Sequence, residues 1–482
     1  MSGLLKRGAG ILLAFAVFVC GLRGLSEVTS RKTSDFYYGE YFDEEDLIDV
    51  VILGSSHAIN GIFPMEMWRD YGIAAYNFAS HGSMIPTSYW VLRNLLDYGT
   101  PDMVVVDCYY LNWDEKTSPI SADFLHNALD VFPLSVTKYQ AVQDLWKDNE
   151  LLNKTDKIDF LWPFYTYHNR WSKLEKGDFV RKRSAGRGAE RRLGISEPVE
   201  YQRISRELIS DETTWNVVYL KKIIELCQEK GIECLLTFLP YPAGEEDQKG
   251  SNLAYQIAEE YGVNYINFLD TDCGIDFETD CWDSDSHLNM SGANKVSAYL
   301  GKYIQENYDI ADHREDQAYS SWQKDYEAYV QEKLKEVQEK EDINRYISGL
   351  TDPDFDLILY FTPNCAALTN EKTLKLLKNM DEEADIDLLK ENADRGCLLI
   401  KENGSLSLYI PEEGKRLEAA CAAGKVALWH DENLHMEVNG EDLFAEDRPD
   451  IIAYISYAET SEQADVVRFH NSADADVIAE VY

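Results

Sequence analysis

The chain has 482 residues, of which 45% are hydrophobic and 12% aromatic. This size and composition predict two or three folded domains and exclude an intrinsically disordered chain. Its 46 basic residues against 86 acidic residues give a formal net charge of −40, which disfavours nucleic acid or an anionic lipid surface as the main partner. The nine cysteines form no CxxC pair, so we expect no zinc site, no other metal and no cofactor.

Residues 1–27 are predicted to be a membrane anchor or a signal segment. Lys6 and Arg7 precede Gly8–Leu22, a run without a charge, and Arg23 follows it. The run is short for a membrane span and typical of a signal peptide, but no small-x-small cleavage site follows. We therefore expect an uncleaved single-pass anchor with its basic end in the cytoplasm and the bulk of the chain outside. A cleaved signal peptide, the alternative, would lead to the same compartment.

Residues 28–310 are predicted to be one domain, in which residues 48–310 alternate strand-like apolar runs with helical patterns. The alternation predicts an α/β domain, a three-layer parallel sheet with covering helices. The predicted strands are Asp49–Leu53, Ala74–Phe78, Met103–Asp107, Glu233–Leu239 and Tyr265–Phe268. The predicted helices are Pro64–Tyr71, Pro86–Tyr98, Thr213–Lys230, Asn252–Tyr261 and Ser291–Tyr308.

Residues 112–200 interrupt this rhythm and are predicted to be an insertion between the third and fourth strands. The insertion contains an aromatic run, Phe160–Trp171, followed by a basic cluster of Arg181, Lys182, Arg183, Arg187, Arg191 and Arg192. The cluster is interpreted either as a solvated loop or as a binding site for an anionic polymer or a membrane surface. Trp171, Arg181 and Arg183 are the candidate substrate-binding residues.

Residues 311–350 are polar, with few Gly or Pro, and predict one long connecting helix. Residues 351–482 predict a smaller α+β domain with no acid/base or metal signature, whose expected role is glycan or partner binding. Its predicted helix is Glu371–Met380, and its predicted strands are Leu357–Phe361, Cys397–Ile400, Ser405–Ile410, Ile451–Tyr457 and Val466–Phe469.

The first chemical motif follows the first predicted strand and reads Gly54-Ser55-Ser56-His57. It predicts a tight turn into a helix, in which glycine permits close backbone approach and a serine hydroxyl is exposed beside backbone N–H groups. Ser56 then lies just beyond a strand end, where ligands of such sheets bind. A simpler interpretation is that Ser55 or Ser56 only caps a helix beginning near Ala58.

The second motif, Asp283–Asn289, opens the last predicted helix of this domain. Asp285 precedes His287 by two residues, a spacing that puts both side chains on one side of an extended or turn backbone. The carboxylate can then hold the imidazole in the tautomer that accepts a serine proton. Asp283 is the alternative acid and would serve better in a helical segment. An Asp-x-His pair also fits a metal, but the chain offers no obvious further ligands.

Together Ser56, Asp285 and His287 supply the groups that acyl transfer through a covalent intermediate requires. In order and context the motifs resemble those of the SGNH/GDSL hydrolase superfamily. Gly54-Ser55-Ser56 matches its GDS-like nucleophile motif, and the Asp and His match its pair near the domain end. His287-Leu288-Asn289 followed by Gly292-Ala293 resembles the branch of alginate O-acetyltransferases and teichoic acid D-alanylation proteins. The resemblance covers residues 48–310.

The resemblance implies an oxyanion hole that includes backbone N–H groups. The N–H groups of Ser56 and of Gly82, which follows the second strand, are in the matching places. A Gly-x-Asn element after the third strand is missing, and Asn112, several residues further along, is the candidate replacement.

The function implied is an extracytoplasmic O-acyltransferase, O-acetyl by expectation, acting on a cell-surface polysaccharide. Ser56 would carry the acyl group, His287 would act as base and then acid, and Asp285 would orient His287. A multi-span membrane acyltransferase would be the partner that supplies the acyl group. Two alternatives are a carbohydrate esterase with the same triad and a non-catalytic glycan-binding scaffold, which the missing Gly-x-Asn favours.

Overall fold

The computed structural model describes residues 3–29, 41–114, 120–147, 149, 151–179, 184–197, 199–283, 287–340, 342–444 and 449–470. The fold is mixed α/β, as predicted, and the chain divides into two compact units. The first unit comprises Met1–Glu190, Tyr201–Cys273 and Val296–Tyr326. The second comprises Arg191–Glu200, Gly274–Lys295 and Glu327–Tyr482.

The first element is an apolar helix, α1 (Gly3–Thr29). Within it the 20-residue stretch Arg7–Ser26 contains an 18-residue window with a mean hydropathy of 2.0, no part of which is buried. By length and composition this helix can cross a membrane. The prediction of an apolar helix at the amino-terminal end is therefore confirmed. The stretch Arg7–Ser26 is longer than the predicted uncharged run Gly8–Leu22 because it continues past Arg23.

A parallel five-stranded sheet forms the centre of the first unit and confirms the predicted parallel sheet. Its order is β2-β1-β3-β4-β5, and every pairing in it is parallel. The strands are β1 (Val50–Leu53), β2 (Ala75–Asn77), β3 (Met103–Asp107), β4 (Glu233–Phe238) and β5 (Asn264–Asn267). Because β2 and β3 lie on opposite sides of β1, the topological switch point of the sheet is at the end of β1.

The runs of β-branched and aliphatic residues explain why β1 and β3 are central strands. Val-Val-Ile-Leu in β1 and Met-Val-Val-Val-Asp in β3 are buried at every position. Continuous apolar runs of this kind suit strands that are covered on both faces.

Helices connect these strands, and several lie at their predicted positions. Helix α4 has the predicted bounds and ends at Gly72 in the left-handed conformation, a common helix stop. Helix α11 (Glu245–Tyr261) begins seven residues before its predicted start at Asn252. The prediction relied on apolar spacing and so missed the acidic first turn, a composition that suits a helix amino terminus. The helices up to this point are α2 (Tyr41–Glu44), α3 (Ser56–Gly61), α4 (Pro64–Tyr71), α5 (Ile85–Leu95), α6 (Ala122–Leu129), α7 (Val136–Leu145), α8 (Lys157–Leu161), α9 (Pro163–Tyr167), α10 (Trp215–Lys230), α11 (Glu245–Tyr261) and α12 (Met290–Asn307).

The predicted insertion, residues 112–200, contains the helices α6 to α9 and the 3₁₀ turns Leu152–Lys154, His168–Lys173 and Lys176–Phe179. Trp171 lies in the second of these turns and is 69% exposed. Arg181, Lys182 and Arg183 lie outside the described residues.

The connecting segment 311–350 is not one helix, as predicted, but two. Helix α13 (Ser320–Gln338) ends before Asp342, whose side chain accepts a hydrogen bond from the Arg345 N–H and so caps α14 (Ile343–Leu350). A side-chain cap of this kind begins a new helix. The predicted domain boundaries themselves stay predictions.

Two antiparallel sheets lie in the second unit, with orders β14-β13-β6-β7-β8 and β12-β11-β10-β9. Their facing side chains form one core that includes Tyr360, Leu398, Leu428 and Met436. Strands β9 to β12 were not predicted from the sequence. Strands β9 and β12 have no fully buried residue, and β10 and β11 mix buried with exposed or half-exposed positions. The elements are α15 (Glu371–Met380), α16 (Asp387–Glu391), β6 (Phe355–Phe361), β7 (Cys397–Glu402), β8 (Ser405–Tyr409), β9 (Leu417–Cys421), β10 (Gly424–His430), β11 (Leu434–Val438), β12 (Glu441–Asp442), β13 (Ile451–Tyr457) and β14 (Gln463–Phe469).

Candidate active site

The turn after β1 separates the roles of its two serines. Ser55 has an extended backbone, and its side chain accepts a hydrogen bond from the His57 N–H at 3.4 Å. Ser55 is therefore the helix cap. Ser56 is the first residue of α3 and is half-buried. The capping interpretation therefore applies to Ser55. Ser56, the predicted nucleophile, is not the residue that caps the helix.

Gly54 allows β1, α3 and the end of β3 to meet closely. A Cβ at this position would lie 2.9 Å from the Ala58 Cβ and 3.0 Å from the Asp107 Cβ. The Gly54 carbonyl also accepts a hydrogen bond from the Ser80 N–H at 3.1 Å. Any larger residue would push α3 off the strand ends, and Ser56 with it.

Asn77, at the end of β2, also holds α3 in place. Its buried amide donates to the carbonyls of Ala58 at 2.8 Å and Ile62 at 3.0 Å. Its side-chain oxygen accepts from the Ala79 N–H at 3.0 Å. One side chain thus binds the last turn of α3 and the residue that ends it, in a helix of only six residues. Asn77 was not among the predicted site residues, although a polar residue at the end of a buried strand is a usable signal.

Asp107 ends β3 at the switch point and is almost fully buried. Its Oδ1 accepts a hydrogen bond from the Leu239 N–H at 3.4 Å, and within the described residues no donor reaches its Oδ2. Burial raises the pKa of Asp107 to about 7, against the opposing effect of the nearby N–H groups of Leu239, Tyr109 and Cys108. A carboxyl group that titrates near neutrality therefore lies beside Gly54, a placement typical of functional sites.

Aromatic rings cover the same strand ends. His57 stacks on Tyr109 with 3.6 Å between ring centroids, and Tyr241 meets His57 edge-on at 4.8 Å. The three rings follow β1, β3 and β4. Burial, together with Asp247 and Tyr109, raises the pKa of the Tyr241 hydroxyl, so it stays protonated. The rings give the end of the sheet an apolar wall behind the Ser56 turn.

The two further oxyanion candidates differ in their surroundings. Gly82 has a φ of +62°, in a turn closed by the hydrogen bond from Ser83 N–H to Ser80 O at 2.9 Å. A Cβ on Gly82 would lie 2.1 Å from the ring of Phe124, so only glycine fits. Asn112 donates its side-chain amide to Asp247 Oδ1 at 3.0 Å, which ties it to α11.

His81, which precedes Gly82, contacts a carboxylate of the same unit. Its Nε2 lies 3.3 Å from Glu190 Oε1.

His287 lies in the second unit, in a loop that enters α12. Its Nδ1 lies 2.5 Å from Asp283 Oδ2, and its backbone N–H donates to Asp283 Oδ1 at 3.0 Å. The loop is closed by the hydrogen bond from Trp282 N–H to His287 O at 2.8 Å. The structure therefore pairs His287 with Asp283, the alternative acid, while Asp285 lies outside the described residues.

The side chain of Asn289 stabilises this loop. Its buried amide donates to Gly194 O at 2.8 Å and to Thr279 O at 2.7 Å, and its side-chain oxygen accepts from Gly292 N–H at 3.1 Å. The residue named in the resemblance thus sets the path of the chain around His287.

Three arginines of the predicted basic cluster are engaged within the fold. Arg187 is fully buried, with ion pairs to Glu44 at 2.7 Å and Asp325 at 2.5 Å and its guanidinium 3.9 Å from the Trp322 ring centre. Arg191 pairs with Glu336 at 2.6 Å, and Arg192 lies over the Trp282 ring. These three side chains serve the fold, which leaves Arg181, Lys182 and Arg183 as the candidates for binding an anionic ligand.

The predicted site residues are therefore distributed over both units. Ser56, Gly82 and Asn112 belong to the first unit, and Asp283 and His287 belong to the second. Among the described residues no group of three or more His, Cys, Asp or Glu side chains is arranged to hold a metal ion.

Comparison with protein-family models gives no match, and comparison with curated proteins gives none either.

Proposed function

We propose that this protein transfers an acyl group, most simply acetyl, to a hydroxyl group of a cell-surface polysaccharide. Ser56 is the nucleophile, His287 the general base and acid, and Asp283 the residue that orients His287. The observation that carries the proposal is the pair of hydrogen bonds between Asp283 and His287.

The chemistry follows from the imidazole tautomer. With Nδ1–H directed at Asp283, the neutral imidazole has its lone pair on Nε2, the nitrogen that can accept the hydroxyl proton of Ser56. The Ser56 oxygen attacks the acyl carbonyl, and the donor's leaving oxygen takes the proton from His287. In the second half a sugar hydroxyl gives its proton to His287 and attacks the acyl-serine, and Ser56 recovers that proton as it leaves.

Two features of the first unit support the same proposal. Ser56 begins a helix at the switch point of a parallel sheet, where ligands of such sheets bind. The N–H groups of Ser56 and Gly82 are the proposed donors to the oxyanion, and each such donor is typically worth about 100- to 1,000-fold in turnover.

We further propose that α1 anchors the chain in a membrane with its bulk outside the cytoplasm. The basic residues Lys6 and Arg7 precede the apolar stretch, and cytoplasmic flanks of membrane helices are enriched in Lys and Arg. An acyl donor made inside the cell then has to cross the membrane, so the proposal requires a multi-span membrane acyltransferase as partner.

The test is the intact mass of the full-length protein after incubation with 4-nitrophenyl acetate. We expect the native protein to gain one acetyl group and Ser56→Ala to gain none. Ser55→Ala is the matched control, because it removes the neighbouring hydroxyl and should still be acetylated. Acetylation of Ser56→Ala to the native extent would refute the proposed nucleophile.

The esterase alternative uses the same residues and differs in the acceptor, water instead of a sugar. The ester content of the surface polysaccharide separates the two, because deleting the gene lowers it for a transferase and raises it for an esterase. Unchanged polysaccharide acylation in cells that carry Ser56→Ala would exclude both enzymes and favour the non-catalytic scaffold.

A further inference from the structure

The insertion packs on the end of the apolar helix. Helix α1 contacts α9 and the two 3₁₀ turns that follow it, all within the first unit. Arg170 donates to the carbonyl of Thr29, the last residue of α1, at 2.9 Å, and pairs with Asp178 at 2.7 Å. Thr29 is fully buried. The terminal carbonyl of α1 is thus satisfied by a side chain of the insertion rather than by water.

The rest of α1 presents apolar side chains outward. Phe15, Val17 and Phe18 are each more than 60% exposed, a surface that water does not favour. At about 1.5 Å per residue the 20-residue stretch Arg7–Ser26 is about 30 Å long, the thickness of a bilayer's hydrocarbon core. If α1 spans that core, Thr29 lies about 4.5 Å beyond it, at the level of the lipid headgroups.

Aromatic side chains are exposed on the same segments that pack against the end of α1. Tyr165 of α9, Trp171 of the turn His168–Lys173 and Phe179 of the turn Lys176–Phe179 are 50%, 69% and 65% exposed. Trp162, which directly precedes α9, is also exposed. We call these four residues the aromatic rim. Trp and Tyr are enriched at membrane interfaces because each combines an apolar ring with a polar group.

The charge around the rim is compatible with a lipid surface. The stretch 157–179 has four basic residues against three acidic ones, in a chain with a net charge of −40. The repulsion that would keep the rest of this acidic protein away from anionic headgroups is therefore absent at the rim.

We propose that the aromatic rim is a bilayer-docking surface, which inserts Trp162, Tyr165, Trp171 and Phe179 among the lipid headgroups around the exit of α1. This inference rests on the proposed membrane anchor. It adds that the first unit lies against the membrane instead of being suspended from it. An acyl group delivered by a membrane-embedded partner would then reach the protein without crossing the aqueous phase.

The experiment uses the native tryptophans of the full-length protein in phosphatidylcholine nanodiscs. Helix α1 contains no tryptophan, so any quenching by lipid arises elsewhere in the chain. With lipids brominated near the top of their acyl chains, we expect part of the tryptophan emission to be quenched. The double variant Trp162→Phe/Trp171→Phe should lose most of that quenching. Trp282→Phe, at a partly exposed residue of the second unit, is the control and should keep it.

The outcomes distinguish this inference from the anchor on which it depends. Failure of the full-length protein to float with liposomes would refute the anchor. Flotation combined with bromine quenching that is unchanged in the Trp162→Phe/Trp171→Phe protein would refute the docking surface alone. Trp171 is largely exposed, so its replacement should leave the folded state intact, and an unchanged circular dichroism spectrum checks this.

Discussion

The carboxylate of Asp283 binds His287 twice, at the imidazole Nδ1 and at the backbone N–H. One bond sets the ring orientation and tautomer, and the other sets the main chain that carries the ring. In the proposed mechanism, a carboxylate placed in this way removes conformational freedom that the general base would otherwise lose when substrate binds.

The first prediction concerns which aspartate assists His287. Asp283→Asn should lower the rate of Ser56 acetylation by about 100-fold or more, because the amide no longer stabilises the imidazolium or its productive tautomer. Asp285→Asn should change the rate by a few-fold at most. The rate of mass gain with 4-nitrophenyl acetate measures both, and the reverse order of effects would make Asp285 the triad acid.

The second prediction separates the two serines of the turn. Ser55→Ala removes the cap of α3 and should cost about 1 kcal/mol of stability, roughly 2–4 °C in melting temperature. Ser56→Ala should leave the melting temperature unchanged, since Ser55 provides the cap. Differential scanning calorimetry of the two variants decides this, and equal melting temperatures would contradict the assigned cap.

The third prediction is a pH dependence of stability that arises from Asp107. Its pKa is about 7 in the fold and near 3.8 ordinarily. Between these values the folded protein keeps a proton that the unfolded chain has lost, so stability falls as pH rises from about 4 to about 7. The full loss from this group is on the order of 4 kcal/mol.

Asp107→Asn should abolish that contribution and keep the acceptor for the Leu239 N–H. Urea unfolding of native and variant proteins at pH 5 and pH 8 measures it. The stability of the variant relative to native should rise between the two pH values. A constant difference would show that Asp107 does not titrate in this range.

The fourth prediction concerns Asn77, which binds the last turn and the carboxyl end of α3. Asn77→Ala leaves the Ala58 and Ile62 carbonyls and the Ala79 N–H without this partner, and should cost about 3 kcal/mol. Asn60→Ala, on the same helix, removes a single hydrogen bond to the Glu190 carbonyl and should cost about 1 kcal/mol. Urea midpoints give both values. Equal losses would mean that Asn77 does not position the helix of Ser56.

The fifth prediction divides the basic cluster by function. Reversing the charge of Arg181, Lys182 and Arg183 should weaken salt-dependent retention on an anionic polysaccharide column without changing the melting temperature. Arg187→Met should instead destabilise the fold by about 3–5 kcal/mol, because two partly buried carboxylates lose their counter-ion. Undiminished retention after the triple reversal would remove this segment from the binding surface.

Much of the fold could be predicted because the central strands are locally unambiguous. β3 and α4 have the predicted bounds, since a continuous buried run and a helix with a glycine stop are recognisable in isolation. The start of α14 after Asp342 was not predicted although its cap is local, because the prediction rested on the polarity of the segment and its few Gly and Pro. Strands β9 to β12 were not predicted because few of their residues form a continuous apolar run.

For the site, a few consecutive residues were enough to predict the turn at Gly54-Ser55-Ser56 and an aspartate beside His287, with Asp285 preferred and Asp283 as the alternative. The local geometry of the loop selects Asp283 rather than Asp285 as the described partner of the imidazole. The long-range fold brings Asn77 and Asp107 around the turn. It also decided that the insertion packs on the end of α1. Local periodicity reports which face of an element is buried, whereas the choice of partner arises from contacts between residues far apart in the chain, which no local pattern encodes.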